Sequence, residues 1–269
     1  MSERRSRTLL TVGFLVILCL VASACGPTSA GKPGGTAKPG AGSPSPSLPP
    51  GAKPDPRYEM PRTGQCHRMT SSESRAPVAT AAEVSCSRPH NTVIAYVGLV
   101  PGALTAQTPL ARRRTIARQV CEPAFRRVAG GTPAARATSI LTWAFFTPSQ
   151  QQLEHGARWV RCDLLARSGN DLVQLPATTP VLRRGIPQQL RVCQNRQGSD
   201  VSCAGPHQFR VEAVFRPRGN AYPSLQAFTP VARNRCKLLM GGYGGYWQPP
   251  SRGGWAAGDH FVRCLSRKG

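Results

Sequence analysis

The sequence predicts an α+β protein made of two small disulfide-stapled modules in tandem, each a short antiparallel sheet with one main amphipathic helix. Three observations carry the prediction. First, Gly156-Ala157-Arg158-Trp159-Val160-Arg161-Cys162 returns as Gly258-Asp259-His260-Phe261-Val262-Arg263-Cys264, and Pro148-Ser149 matches Pro250-Ser251 in the same register. Second, four cysteines recur at corresponding places: Cys66, Cys86, Cys121 and Cys162, then Cys193, Cys203, Cys236 and Cys264. Third, β-branched and aromatic runs alternate with stretches of helical periodicity in both copies. Self-similarity at this period sets the organisation: modules over residues 58–167 and 190–269, with a connector over 168–189.

Ahead of the modules, Arg4, Arg5 and Arg7 precede the apolar run Leu9 to Val21, which is short for a membrane span and reads as a signal peptide over residues 1–24. It ends Val21-Ala22-Ser23-Ala24-Cys25-Gly26, similar to a bacterial lipoprotein signal in which Cys25 is acylated, although Ala22 stands where leucine is usual. Cleavage after Ala24 without acylation is the alternative. Residues 25–57 are mostly Pro, Gly, Ala, Ser and Lys, too poor in apolar side chains to offset ordering entropy, and are expected to form a disordered tether.

In the first module Thr92 to Val97 reads as a strand. Thr108 then supplies an N-cap with Pro109 at the first helical position, and Gly130-Gly131 closes the helix. Ile116, Ala117, Val120, Cys121, Ala124 and Val128 recur at helical spacing, so Cys121 belongs to the buried face. Pro123 is expected to kink or shorten the helix. Leu141 to Phe146 reads as a strand. Thr147-Pro148-Ser149-Gln150 opens a short helix with Gln150 at its third position, and Trp159 to Leu165 is the closing strand. The second copy repeats the plan with a strand over Phe209 to Phe215, a helix over Pro223 to Met240 and a closing segment over Trp247 to Cys264. It differs in the glycine-rich loop 241–246.

Ten cysteines, eight of them in register, indicate disulfides formed in an oxidising compartment. Pairing within modules leaves three connectivities per copy. The preferred one joins Cys66 to Cys86, Cys121 to Cys162, Cys193 to Cys203 and Cys236 to Cys264, tying each helix to its closing strand.

Catalytic and metal devices are scarce. Cys86/His90 and Cys203/His207 have no second ligand pair nearby, so neither metal nor other cofactor is expected. A Gly-x-Ser-x-Gly elbow and a Cys-x-x-Cys pair are both absent. The acids Glu122, Glu154 and Asp163 on one side, and Asp200, Glu212 and Asp259 on the other, read as not recurring in register, which disfavours a duplicated active site. The net charge of +23 suits anionic headgroups or wall polymers, although an arginine-rich GC-biased genome also accounts for it. His90, His207, Tyr243, Tyr246 and Trp247 are candidates for a binding surface, while Trp255 aligns with Leu153 and is expected in the core.

At Gly64-Gln65-Cys66, Cys86-x-x-Pro89-His90 and Trp255-x-x-Gly258-Asp259-His260-x-Val262-x-Cys264, the chain resembles the actinobacterial septum-formation domain family. The resemblance covers both modules. The first copy carries Leu153 in place of the tryptophan, and the second opens with Val192-Cys193. The acid often found three residues past the histidine is Val93 in one copy and Arg210 in the other. The resemblance implies an envelope protein connected with cell division and assigns no catalytic residue. The expectation is therefore a non-catalytic binding or scaffolding lipoprotein outside the cytoplasm. Its partners would be the cell membrane through the anchor and an anionic wall polymer or a divisome or envelope protein, with no nucleic acid. A wall hydrolase or modifying enzyme, and adhesion driven by charge alone, are the alternatives.

Overall fold

The computed structural model describes residues 53–100, 108–219, 221–242, 245–256 and 258–267. The expected signal peptide, nearly all of the tether, and the candidate residues Cys25 and Tyr243 lie outside them.

The first sheet holds six strands: β1 (Cys66–His67), β2 (Glu83–Val84), β3 (Thr92–Leu99), β4 (Leu141–Phe146), β5 (Trp159–Ser168) and β6 (Asp171–Val173). Their order is β2-β1-β3-β5-β4, with β6 folded back on the end of β5. The second sheet holds β7 (Val192–Gln194), β8 (Asp200–Ser202), β9 (Phe209–Phe215), β10 (Tyr246–Gln248) and β11 (Val262–Arg267), ordered β8-β7-β9-β11-β10. The two orders are the same path traced twice, and every pairing is antiparallel. The match extends to an irregularity. β3 carries one extra residue between Ile94 and Tyr96 beside Cys162, and β9 carries one between Val211 and Ala213 beside Cys264. A bulge at the same step of both sheets turns the strand where a helix must approach closely enough to be cross-linked.

Those helices are α1 (Leu110–Ala129) and, after the short α2 (Pro133–Ala137) and α3 (Gln150–Glu154), α4 (Leu225–Leu239); α5 (Arg252–Ala256) precedes the last strand. Ala117, Cys121 and Ala124 of α1 are buried, with Cys121 and Ala117 against Val160 and Cys162, while Phe228, Ala232 and Cys236 of α4 pack on Phe215, Val262 and Cys264. Each set lies four, or three and four, residues apart, which places it on one side of its helix. Disulfides join Cys121 to Cys162 and Cys236 to Cys264, and Cys66 to Cys86 and Cys193 to Cys203.

Local signals shift where tertiary contacts decide. α1 begins at Leu110 with Pro109 as its extended cap, one residue later than the Thr108-Pro109 pattern predicts. It also runs through Pro123 to Ala129. A proline inside a helix costs about 3 kcal/mol, and the buried Ala117/Cys121/Ala124 line with its disulfide offsets that. The cap of α3 is Ser149, two residues beyond Thr147. Its Oγ accepts from the Gln152 N–H, and the Gln152 side chain accepts from the Ser149 N–H in a complete capping box. The pattern recurs at Ser251, whose Oγ accepts from the Gly254 N–H. α2, capped by Thr132, is five residues long, too short for its sequence to show a helical period.

The connector is part of the core. Leu175, Val181 and Leu182 are buried, and the N–H groups of Val181 and Leu182 donate to the Val128 and Ala129 carbonyls at the end of α1 (3.0 and 2.8 Å). One apolar cluster runs from Val93 and Leu164 of the first sheet through Leu182 and Leu190 to Val192, Val211 and Leu265 of the second. All described residues accordingly fall in one compact unit.

Alternation along β5 puts Val160, Cys162 and Leu164 on one face and Trp159, Arg161 and Asp163 on the other. Residues 54–82 cover the second face. The Trp159 indole donates to the Tyr58 carbonyl (3.0 Å), Thr147 N–H to the Pro77 carbonyl (3.0 Å) and Arg167 to Ser74 Oγ (3.0 Å). Under this cover Arg161 grips Asp163 with two bonds, Nε to Oδ1 at 2.7 Å and Nη2 to Oδ2 at 2.6 Å, while its guanidinium also lies over the Phe146 ring. Arg161 is 4% exposed and Asp163 is wholly buried.

His67 shares this polar layer. Its Nδ1 lies 3.0 Å from the Ala81 carbonyl, and its Nε2 is buried with no hydrogen-bond partner among the described residues. Burial, then the Arg161 charge, hold the imidazole below its ordinary 6.5, outweighing Asp163 and the Ala81 and Ala82 carbonyls. The unfolded chain therefore binds the proton more tightly than the native protein. The stability contributed by neutral His67 is complete above about pH 6.5 and is lost as pH falls from there through the lower native value. Urea midpoints measured from about pH 7 to about pH 5 are expected to fall less steeply for His67→Gln, the residue found at the matching position 194. Parallel slopes for parent and variant would contradict the assignment.

Candidate functional site

The two sheets meet through backbone. Ile140 N–H donates to the Leu190 carbonyl (2.9 Å), Val192 N–H to Thr138 (3.1 Å) and Gly169 N–H to Asp200 (2.8 Å), and Ser139 bridges Arg191. Beside this seam the surfaces diverge and leave a cleft of about 780 Å³. Its walls come from both halves: Ser139, Thr142, Arg167 and Asn170 on one side, and Asn195, Asp200, Gln248, Asp259 and Arg263 on the other. An adjoining recess of about 560 Å³ shares Ser139, Thr142, Asp259 and Arg263 and adds Arg118, Arg126, Arg136 and Arg216.

The floor is a charged network. Arg263 Nη1 donates to both Asp200 oxygens (2.6 and 2.8 Å), and Gln194 Nε2 reaches Asp200 Oδ1 (3.2 Å) and the Gln248 side chain. Arg263 occupies the place of Arg161, and Leu265 the place of Asp163. With no buried carboxylate two residues on, Arg263 turns instead to Asp200 on β8. Here one reading from sequence fails. Asp200 does have a counterpart in register, Glu83, since each acid lies three residues before the second cysteine of its copy. The structure sets Glu83 across from His67 and Asp200 across from Gln194. In the first copy Asp163 captures the arginine and Glu83 accepts from Gln65 instead. The sequence signal for the pair is Glu83-Val84-Ser85-Cys86 against Asp200-Val201-Ser202-Cys203.

Two arginines at the rim are costly as cations. Arg167 has its pKa lowered by burial and then by Arg75, and Arg136 by burial and then by Arg126. Arg136 is fixed by two carbonyls, Gly130 (2.9 Å) and Gly131 (2.6 Å). Arg167 Nη2 holds Ser74, while its Nη1 is buried with no partner among the described residues. A partly desolvated guanidinium beside a second cation is stabilised by any anion that reaches it.

The candidate surface residues do not gather at this cleft. His90 is buried rather than surface-exposed, with Nδ1 2.9 Å from the Arg88 carbonyl, and half-buried His207 repeats the contact with Gly205 at 2.8 Å. A proline ahead of each histidine sets the turn that brings the ring onto its own backbone two residues earlier. Trp247 packs edge-on against Phe228 beneath α4. Tyr246 is exposed and touches Phe209 by one edge, and Trp255 is buried against Tyr222 and His260. Among the described residues there is no group of three or more His, Cys, Asp or Glu able to hold a metal ion. No described helix is long and apolar enough to cross a membrane. The four disulfides point to an extracytoplasmic location.

A model of the family described as septum formation matches residues 63–264, a span that takes in both sheets. No curated protein and no solved structure matches the chain.

Proposed function

This chain belongs to the septum-formation family, and from that membership we propose that it is a non-catalytic binding or scaffolding protein of the cell envelope that serves septum formation. It is held at the membrane by acylated Cys25 and extended from it by the tether over residues 25–57. In this reading the two sheets descend from one duplicated module. Their shared strand path, their matching bulges and the repeated Pro-His turns support that descent.

The observation that carries the binding reading is the polar cleft at the seam, where partly buried Arg167 and Arg136 each sit beside another arginine. Such a site favours an anionic group on an envelope polymer or partner. The test is co-sedimentation of the protein with purified cell wall, before and after chemical removal of its anionic polymers. Binding is expected to fall on removal of those polymers and to weaken about tenfold in Arg167→Gln, the scale of a lost charged hydrogen bond. Equal binding to stripped wall would reject the cleft as an anion site.

A wall-modifying enzyme is the second reading, favoured by the presence of two carboxylates, Asp200 and Asp259, on the same cleft. Both are engaged. Asp200 accepts from Arg263 and Gln194, and Asp259 Oδ1 accepts from the Phe261 N–H (3.1 Å). Soluble wall fragments released by the parent and not by Asp200→Asn/Asp259→Asn would establish it in place of scaffolding.

A further inference from the structure

The helices that carry the third cysteine of each copy part company at their outer ends. α1 finishes under the connector, where Val181 and Leu182 bond to its last carbonyls and Pro180 lies against Gly130. Among the described residues α4 ends instead on its own turn, where the Gly241 and Gly242 N–H groups donate to the Leu238 and Lys237 carbonyls. Its sequence, Leu-Gln-Ala-Phe-Thr-Pro-Val-Ala-Arg-Asn-Arg-Cys-Lys-Leu-Leu, buries only Phe228, Ala232 and Cys236.

At 100° per residue the exposed residues Ala227, Val231 and Leu238 fall within about 40° of one another, centred about 120° around the helix from the buried line. Val231 is 53% exposed and Leu238 is 72% exposed, the highest among the exposed large apolar side chains. Asn234 borders the stripe. Arg235 lies about 60° to one side of its centre and Lys237 about 100° to the other, both exposed, while Arg233 sits about 140° away, toward the opposite side of the helix. The helix contains no acidic residue. Just past its end, Gly245 lies against Met240 and exposed Tyr246 follows.

Apolar side chains flanked on both sides by long cationic ones match an interface with acyl chains below and anionic headgroups around the rim, since Arg and Lys can lay their stems along the apolar layer and keep their charges at the headgroups. A second copy of this chain is a poor occupant. It would bring another helix bearing three cations and no acid, on a molecule of net charge +23, against the first. We infer that the outer face of α4, through Val231 and Leu238 with Arg235 and Lys237, docks peripherally on an anionic phospholipid surface. This contact is separate from the cleft and from any acyl chain, and it would set α4 between the second sheet and the membrane.

The test uses the full chain carrying Cys25→Ser, so that no acyl group contributes, with vesicles of phosphatidylglycerol mixed into phosphatidylcholine and with phosphatidylcholine alone. Binding is expected to the mixed vesicles only, to weaken with salt, and to drop about tenfold in Val231→Ser/Leu238→Ser. Both residues are already exposed, so the fold is expected to survive, as four intact disulfides by mass would verify. Amide hydrogen exchange across 231–242 is expected to slow on the mixed vesicles, a readout that contributions from residues 1–24 do not reach. Partitioning and exchange that the double substitution leaves unchanged would overturn the inference. So would concentration-dependent self-association that the double substitution abolishes while vesicles are ignored, since that outcome assigns the stripe to a second copy.

Discussion

Asp163→Ala is expected to destabilise the protein by about 3–5 kcal/mol, because it leaves the Arg161 guanidinium buried without its counter-charge. For a fold whose net stability is of order 5–15 kcal/mol, that is enough to unfold much of the population near physiological temperature. Arg161 is almost fully covered and donates twice to Asp163, so neither water nor a neighbouring acid replaces the lost partner. Its Phe146 contact is a face-on interaction with a ring and does not neutralise it. The matched control is Arg161→Met/Asp163→Leu, expected near neutral, since apolar side chains of similar volume remove both desolvation penalties together. Urea denaturation of parent, single and double variants decides it. A single variant within about 1 kcal/mol of the parent would show that the pair is hydrated in solution.

Removing Cys121–Cys162 as Cys121→Ala/Cys162→Ala is expected to be the most damaging of the four bridge deletions. It closes 41 residues of sequence, against 28 for Cys236–Cys264, 20 for Cys66–Cys86 and 10 for Cys193–Cys203. Loop-closure entropy then assigns about 4 kcal/mol to the longest and about 2.7 kcal/mol to the shortest. The longest also holds α1, whose internal Pro123 weakens it, to the central strand β5. Melting temperatures for the four paired deletions are expected to fall in the order of loop length. Equal losses would mean that native packing around the sulfurs, rather than the freedom of the unfolded chain, sets their worth.

How much was legible depended on whether a feature is local. The strand Phe209–Phe215 and the strand Leu141–Phe146 are bounded as their β-rich runs are, and the buried face of α1 follows its 3.6-residue period through Cys121. Helix starts lie one or two residues beyond the sequence patterns because Thr108, Ser149 and Ser224 each stand near a proline, and only backbone geometry picks the cap. Residues 168–189, polar enough to pass for a linker, proved to contribute Leu175, Val181 and Leu182 to the core. Three apolar side chains in an irregular stretch have no period to reveal them.

The candidate cleft was invisible as a site although its residues were in plain view. Arg167, Asp200 and Arg263 carry no motif, and they share a cleft only because the seam at Ile140/Leu190 aligns the two sheets. By itself the sequence determined the recurring stretch that ends at Cys162 and Cys264, the matching cysteine positions and the kinds of element between them, since those rest on repetition and on spacing along the chain. The tertiary structure alone decided which arginine is neutralised in the core and which opens onto the cleft. Asp163 or Leu265 two residues on selects between them, but the selection takes effect only where residues 54–82 seal one face and leave its counterpart to solvent.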